Sequence, residues 1–422
     1  MAKESLSPLE NAQRQVRAAC EALDMPPAVY ELLKEPLRVI ELSIPVKMDD
    51  GSIKVFKGYR SMHNDAVGPG KGGIRFHPSV NLEEVKALSI WMTFKCCVTG
   101  IPYGGGKGGI CVDPSQLSQG ELERLARGYI QGLHKYLGEK IDVPAPDVNT
   151  NAQIMSWMVD EFIKLKGGEQ ALGVITGKPV QWGGSKGRNE ATGLGVSVIA
   201  REAAKKIGLD ITKAKVAIQG FGNVGSFTVK HVQKQGATIV ALAEWDKEVG
   251  TYALYNEEGL DYEDLAAFKA EHKSIVNYPK AERITLDDFW GLDVDILIPA
   301  ALENAITERE AEMIKAKLIC EAANGPTTPQ ADEIINRKGI TLTPDILTNA
   351  GGVTVSYFEW VQNLYGYYWS EEEVVEKEEI AMVEAFNNIW SIVEEYKVPA
   401  RKAAYMFSVK KVADTMKLRG WY

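Results

Sequence analysis

KVAIQGFGNVGSFTVKHVQKQGATIVALAEWD, residues 215–246, decides the fold. An apolar run of strand length (215–219) enters Gly220-Phe221-Gly222-Asn223-Val224-Gly225, a helical stretch follows, and a second apolar run (238–243) closes the unit. The glycines permit a tight turn, close approach of backbone to a pyrophosphate, and close packing of helix on strand, which is the fingerprint of a dinucleotide site. The helix start offers unpaired N–H groups and the positive end of its dipole to the phosphates. A glycine motif alone would equally describe a structural turn; the flanking strands supply the context that the motif requires. Residues 220–225 are therefore candidate cofactor contacts. Glu244 and Asp246 stand about 20 residues past the last glycine, where a carboxylate binds a ribose 2′-hydroxyl and repels a 2′-phosphate. NAD is thus favoured over NADP. Lys247 is the neighbour whose charge could oppose that preference, and a solvated turn is the bland alternative for all three.

Working outward, DVDILIP (293–299) and KLICEA (317–322) are further apolar runs separated by helical stretches. Strands alternating with helices indicate a parallel, doubly wound sheet. Upstream, Ser7-Pro8 opens an amphipathic helix to about Leu23. Ile40, Leu42, Ile44 and Val46 then alternate with Glu41, Ser43 and Pro45, a strand period. Pro45 cannot donate to a ladder, so this strand belongs at a sheet edge. Asp49-Asp50-Gly51 is a turn signal, and Ile53 to Met62 reads as the returning strand. A helix is expected from about Leu82 to Val98, and Ser118 with Glu121 has the spacing of a capping box. GGSKGRNE (183–190) reads as a hinge, and the tail after about Ser370 is helical and charged.

A chain of 422 residues accommodates two or three domains at roughly 100–200 residues each. The net charge of −9 argues against nucleic acid or an anionic membrane as the main partner, since both require a basic face. The five cysteines, Cys20, Cys96, Cys97, Cys111 and Cys320, include no C-x-x-C pair, so no disulfide framework and no metal site is indicated. The polar N-terminus lacks the apolar core of a signal peptide, and cytoplasm is the default compartment.

Three lysines sit in or beside glycine-rich stretches: Lys71 in GPGKGGIR, Lys95 in WMTFKCC and Lys107 in YGGGKGG. The last is not a phosphate-binding P-loop, because Ile101 replaces its first glycine and Gly108 follows the lysine where Ser or Thr is needed, which weakens a phosphotransferase reading. A lysine flanked by glycines can be closely enclosed, and desolvation lowers its pKa towards working pH. Lys107 suits such a base or electrophile. Asp147, in DVPAPDVNTN, could be its partner or simply a helix N-cap.

KGGIR, PYGGGKGG, DVPAPD, GRNEATG, GFGNVG, EAANGPT and LTNAGG occur in this order, and together the chain resembles hexameric glutamate dehydrogenase of the small-subunit type from about residue 25 to its end. AEWDKEVGTYALYNEEGLD is similar to the NAD-specific catabolic enzymes of anaerobic bacteria. The resemblance implies an α/β fold: an N-terminal α/β substrate and assembly domain (1–185), a Rossmann-like doubly wound dinucleotide-binding domain (186–399), a cleft between them, and a C-terminal helix (400–422) packing back on the first domain. It implies reversible oxidative deamination of L-glutamate to 2-oxoglutarate and ammonium with NAD, in a homohexamer. It also implies residue roles. Lys107 polarises the 2-oxo group, Asp147 shuttles protons, Lys95 grips the α-carboxylate, and Lys71 grips the γ-carboxylate beside Ser356. Thr192, Asn324 and Asn349 contact the nicotinamide and its ribose. Met92 stands where some members carry a glutamine near the α-carboxylate, and helix packing explains it equally well. Leucine, valine and phenylalanine dehydrogenases share the fold but are usually apolar at the position of Lys71, where an unpaired buried lysine would be costly. The alternatives are a branched-chain amino-acid dehydrogenase and a catalytically silent NAD-binding scaffold.

Overall fold

The computed structural model describes residues 7–422. The chain forms two compact units, one of residues up to Lys186 with Val353–Val374 and Tyr405–Tyr422, the other of Gly187–Gly352 with Val375–Ala404.

The first unit is built on a five-stranded sheet: β1 (Arg38–Lys47), β2 (Ile53–Asn64), β3 (Gly70–Phe76), β4 (Gly104–Ile110) and β5 (Asp142–Pro146), in the order β1-β2-β4-β3-β5. The hairpin β1–β2 turns at Gly51, whose φ of 85° is open to glycine. Pro45 lies opposite Val55 in that ladder, on the edge strand where a missing N–H is harmless. Strands β4, β3 and β5 run parallel to one another. The predicted helix is observed over Leu82–Val98, capped by Asn81, and lies on β2 through Ser61–Ser89 and His63–Thr93 side-chain bonds of 2.8 and 2.7 Å. The Ser118–Glu121 capping box opens the helix Gln119–Leu133. That helix and Ala152–Leu165 bury Leu125, Ile130, Met155 and Phe162 against Ile44, Phe56, Ile74 and Phe76 of the sheet.

Val353–Val374 clusters with the first unit, although the sequence reading places it inside the 186–399 domain. The reason is a fully buried ion pair, Lys178 Nζ to Glu359 Oε1 at 2.7 Å, joined by a Thr176–Ser356 hydroxyl contact of 2.5 Å. These bonds join the helix Gly351–Tyr365 to the 176–178 segment. At the C-terminal end of the chain, Ser408 Oγ donates to the Phe94 carbonyl at 3.1 Å, and Tyr405 packs edge-on against the Phe94 ring.

The second unit carries β6 (Lys215–Gln219), β7 (Thr238–Asp246), β8 (Gly250–Tyr255), β9 (Glu282–Ile284), β10 (Ile296–Pro299), β11 (Leu318–Cys320) and β12 (Thr341–Thr343). Their order is β12-β11-β10-β6-β7-β8-β9. The first five in that order are parallel, and β8 and β9 add an antiparallel edge. Val216, Ala217 and Ile218 are all fully buried, as expected of a strand covered on both faces. The four apolar runs read from the sequence become β6, β7, β10 and β11. The strands β9 and β12 have no comparable apolar run, whereas β8, absent from the sequence expectation, buries Tyr252, Ala253 and Leu254. No described helix is long and apolar enough to cross a membrane.

Candidate active site

The lysine-rich glycine segments become neighbouring strands. Lys71 pairs with Gly105 across β3–β4, and Gly73 and Ile74 face Ala145 and Pro146 across β3–β5, so three motifs far apart in sequence share one end of the sheet. Glycine is needed for this approach: a Cβ on Gly72 would stand 1.6 Å from the Gly106 carbonyl oxygen. A buried bidentate pair holds the strands, with Arg60 Nε and Nη2 on the Asp142 carboxylate at 2.8 and 2.5 Å and Nη1 on the Gly72 carbonyl at 3.1 Å.

Lys71 is 1% exposed. Its ammonium donates to Thr176 Oγ1 at 2.5 Å and to the Pro144 carbonyl at 3.4 Å, and lies over the Tyr103 ring at 5.6 Å. No carboxylate among the described residues comes within ion-pair distance of it, because Glu359 is taken by Lys178. Burial pushes Lys71 down to about 7, since desolvation disfavours the charged form. Ser356 bonds to Thr176, so lysine and serine meet through a threonine hydroxyl. The buried Tyr103 hydroxyl beside them has no protein partner, which in a native structure calls for an explanation such as a ligand.

Lys95 occupies the last turn of its helix. The charges of Lys71 and Lys95 both bear on the Cys96 thiol, which burial nonetheless raises to about 12. Met92 is half-buried and packs against a cluster of Cys96, Ile101, Tyr103 and Val143. Lys107 ion-pairs with Asp147, and Arg75 Nε stands 3.5 Å from the same carboxylate oxygen. Burial works to raise the Asp147 pKa, but Lys107 and Arg75 outweigh it and hold the group below its ordinary value. Asp147 is not a helix cap: Asn151 Oδ1 accepts from Ile154 N at 3.1 Å and caps the helix that follows.

In the second unit, Gly220 has a φ of 101°, and a Cβ on Gly225 would stand 2.0 Å from the Gly220 carbonyl oxygen. The helix Asn223–Lys234 starts with Gly222 at its cap, so Asn223, Val224 and Gly225 form its first turn. An open cavity of about 460 Å³ is lined by Phe221, Gly222, Asn223, Ser226, Tyr262 and Lys269. Glu244 lies within β7; its two oxygens accept from Phe221 N at 2.6 Å and Trp245 N at 2.9 Å. Asp246 accepts from Ser274 Oγ at 2.7 Å, and Lys247 is exposed. Thr192 lies in the first turn of the helix Ala191–Lys206, with its hydroxyl 2.6 Å from where a Gly352 Cβ would stand. Asn349 donates to Asn324 Oδ1 at 2.9 Å, while its own Oδ1 is buried without a partner. A primary carboxamide N–H₂ would satisfy that acceptor, and the glycine turn fits a pyrophosphate. The second unit thus suits a nicotinamide dinucleotide.

Sequence reading missed Thr176, Lys178, Glu359 and Lys269. Glu359 follows Ser356 by three residues and so shares its helix face, the only available hint; Thr176 lies in a loop without a motif.

Residues 36–164 match the family model described as Glu/Leu/Phe/Val dehydrogenase, dimerisation domain, and residues 183–420 match that of Glutamate/Leucine/Phenylalanine/Valine dehydrogenase. The chain is 70% identical to the NAD-specific glutamate dehydrogenase of Clostridioides difficile over the full length of both. It superimposes with a TM-score of 0.90 on the crystal structure of glutamate dehydrogenase from Peptoniphilus asaccharolyticus, at 59% identity over 99% of this chain and 100% of that one. The leucine-bound, hetero-hexameric glutamate dehydrogenase of Thermus thermophilus gives 0.90 at 34% identity, over 100% and 99% of the two chains. The chain belongs to the glutamate/leucine/phenylalanine/valine dehydrogenase family.

Proposed function

We propose that this chain catalyses the reversible oxidative deamination of L-glutamate to 2-oxoglutarate and ammonium with NAD, and that the lysines and Asp147 of the first unit carry the chemistry. The carrying observation is Lys71, a buried lysine that donates to the Thr176 hydroxyl, itself bonded to Ser356, and has no carboxylate partner among the described residues. A γ-carboxylate supplies the missing anion and holds the lysine in its charged form, whereas an aliphatic side chain gives the ammonium no counter-charge and leaves it to lose its proton. That disfavours the branched-chain reading.

Lys95 binds the α-carboxylate, and Met92 packs beside it. When bound, NAD supplies the acceptor for the hydride that leaves the α-carbon. The turn 220–225 and the helix start behind it would hold the pyrophosphate, Glu244 and Asp246 would face the ribose, and Thr192, Asn324 and Asn349 would hold the nicotinamide end. Glu244 next to the turn disfavours a 2′-phosphate. Lys107 positions the water that attacks the imine carbon and stabilises the oxygen as charge builds on it. Asp147, kept ionised by Lys107 and Arg75, accepts a proton from the substrate nitrogen. As Lys107 engages substrate oxygen, Asp147 loses part of that pairing and its proton affinity rises, which suits the transfer.

The free edge of β1 and the six-subunit assembly named for the Thermus relative, a hetero-hexamer, support a hexamer, which we propose is built of identical chains, and cytoplasm is the compartment that fits a catabolic enzyme of this kind. Initial rates of NADH formation test the function. Glutamate with NAD should exceed both leucine with NAD and glutamate with NADP, and Lys107→Ala should abolish most turnover while NADH still binds. Leucine outpacing glutamate, or a Lys107→Ala enzyme of normal rate, would overturn the assignment. No turnover of any amino acid would favour a silent scaffold.

A further inference from the structure

One partly buried cation in the second unit, its side chain 19% exposed, touches none of the residues assigned to substrate or cofactor, yet its hydrogen bonds lead to two of them. Arg401, at the start of the helix Ala400–Leu418, places Nη2 and Nη1 on the two oxygens of Glu321 at 2.7 and 2.9 Å. Glu321 is fully buried. Its Oε2 also accepts from Asp345 N at 2.9 Å. Asp345 Oδ2 in turn accepts from Gly325 N at 2.8 Å, one residue after Asn324. Asp345 opens the short helix Asp345–Thr348, whose next residue is Asn349. Asn349 closes the circuit by donating to the Ala322 carbonyl at 3.1 Å and to Asn324.

We propose that Arg401 is a positioning residue for the nicotinamide end of the cofactor site: it orders Glu321, Glu321 orders Asp345, and Asp345 fastens the Asn324 loop to the turn that carries Asn349. The inference rests on the reading that Asn324 and Asn349 hold the carboxamide. Three carboxylates surround the guanidinium, with Asp332 at 3.2 Å and Asp345 at 3.8 Å completing the set. Without Arg401, Glu321 and Asp345 face each other as like charges in a buried place, and the spacing between the two asparagines is lost. The orphaned Asn349 Oδ1 then no longer stands where a carboxamide N–H can reach it. An arginine is suited to this because its planar fork fixes both oxygens of one carboxylate while leaving donors for a second, which a lysine cannot do.

The test compares two ligands on the full-length enzyme by calorimetry: NADH, and ADP-ribose, which lacks the nicotinamide. In Arg401→Met, NADH binding should weaken by about tenfold, the equivalent of roughly 1.4 kcal/mol, with ADP-ribose binding unchanged. Arg401→Lys, the milder change should the first variant fold poorly, should show the same preference at smaller amplitude. A purely structural role would weaken both ligands together or neither, and either result overturns the inference. Asn349→Ala serves as the reference. If it weakens NADH selectively and the Arg401 variants do not, the inference falls while the reading of the asparagines stands. If no variant separates the two ligands, that reading falls and takes the inference with it.

Discussion

Replacing Lys71 with Met tests the substrate assignment most directly. Methionine is unbranched and adaptable, so it can fill much of the volume the lysine stem leaves. The lysine is 1% exposed, donates to Thr176 at 2.5 Å, and lacks a carboxylate partner among the described residues. Its worth to a bound γ-carboxylate is therefore that of a desolvated, hydrogen-bonded charge pair. Truncating one side of such a pair costs roughly 2–5 kcal/mol. At 1.36 kcal/mol per factor of ten, kcat/KM for glutamate should fall by roughly 30- to 5000-fold. Most of the loss should be in KM, because the γ-carboxylate is held alike in ground and transition states. L-Norvaline, with an apolar side chain of similar reach, should gain relative to glutamate, since the variant offers it no unpaired cation. Initial rates of NADH formation with the two amino acids measure the ratio. Unchanged glutamate efficiency in Lys71→Met would refute the claim that this ammonium grips the second carboxylate.

The pH dependence follows from the same residue. Burial pushes Lys71 down to about 7; only the charged form binds the γ-carboxylate, so glutamate KM should rise above that pH by at most about tenfold per unit and lose this component in Lys71→Met. Between about 7 and the ordinary lysine value the unfolded chain binds more protons here than the folded one, so this group makes the substrate-free protein more stable as pH rises; urea midpoints of the native protein and Lys71→Met across that window measure it. Gly225→Ala would set a Cβ 2.0 Å from the Gly220 carbonyl oxygen, forcing strand and helix apart, and should cost about 1–3 kcal/mol of stability together with most NADH binding by fluorescence titration. Lys178→Met leaves Glu359 buried without its cation and should destabilise by roughly 3–5 kcal/mol. The double variant Lys178→Met/Glu359→Leu should recover part of that in urea unfolding, but not all, because Glu359 also accepts from Gly177 N at 2.8 Å.

The features visible in the sequence are local ones. Hydrogen-bonding periodicity and turn chemistry act over a few residues, so the run 215–246 announces its strand, turn and helix, Ser118 with Glu121 announces a cap, and Pro45 announces an edge. The lysines were legible as a group only through their glycine neighbours and the family resemblance. Strands β9 and β12 escaped because three-residue strands with little apolar periodicity depend on pairing with a sheet already formed. Asp147 was ambiguous between cap and catalyst for a similar reason: both roles suit an aspartate after proline, and only the placement of Asn151 as the cap separates them.

By itself, then, the chain's order of residues determined which segments become strands and helices, where a dinucleotide turn forms, and which lysines lack room for larger neighbours. The tertiary structure alone decided that Lys71 has no anionic partner among the described residues, that Thr176 links it to Ser356 across 180 residues, and that Val353–Val374 joins the first unit and not the second. The physical reason is that charge compensation and burial are properties of what surrounds a group. Glu359 could have neutralised either lysine, and only the folded geometry, which gives it to Lys178 at 2.7 Å, leaves Lys71 for the substrate.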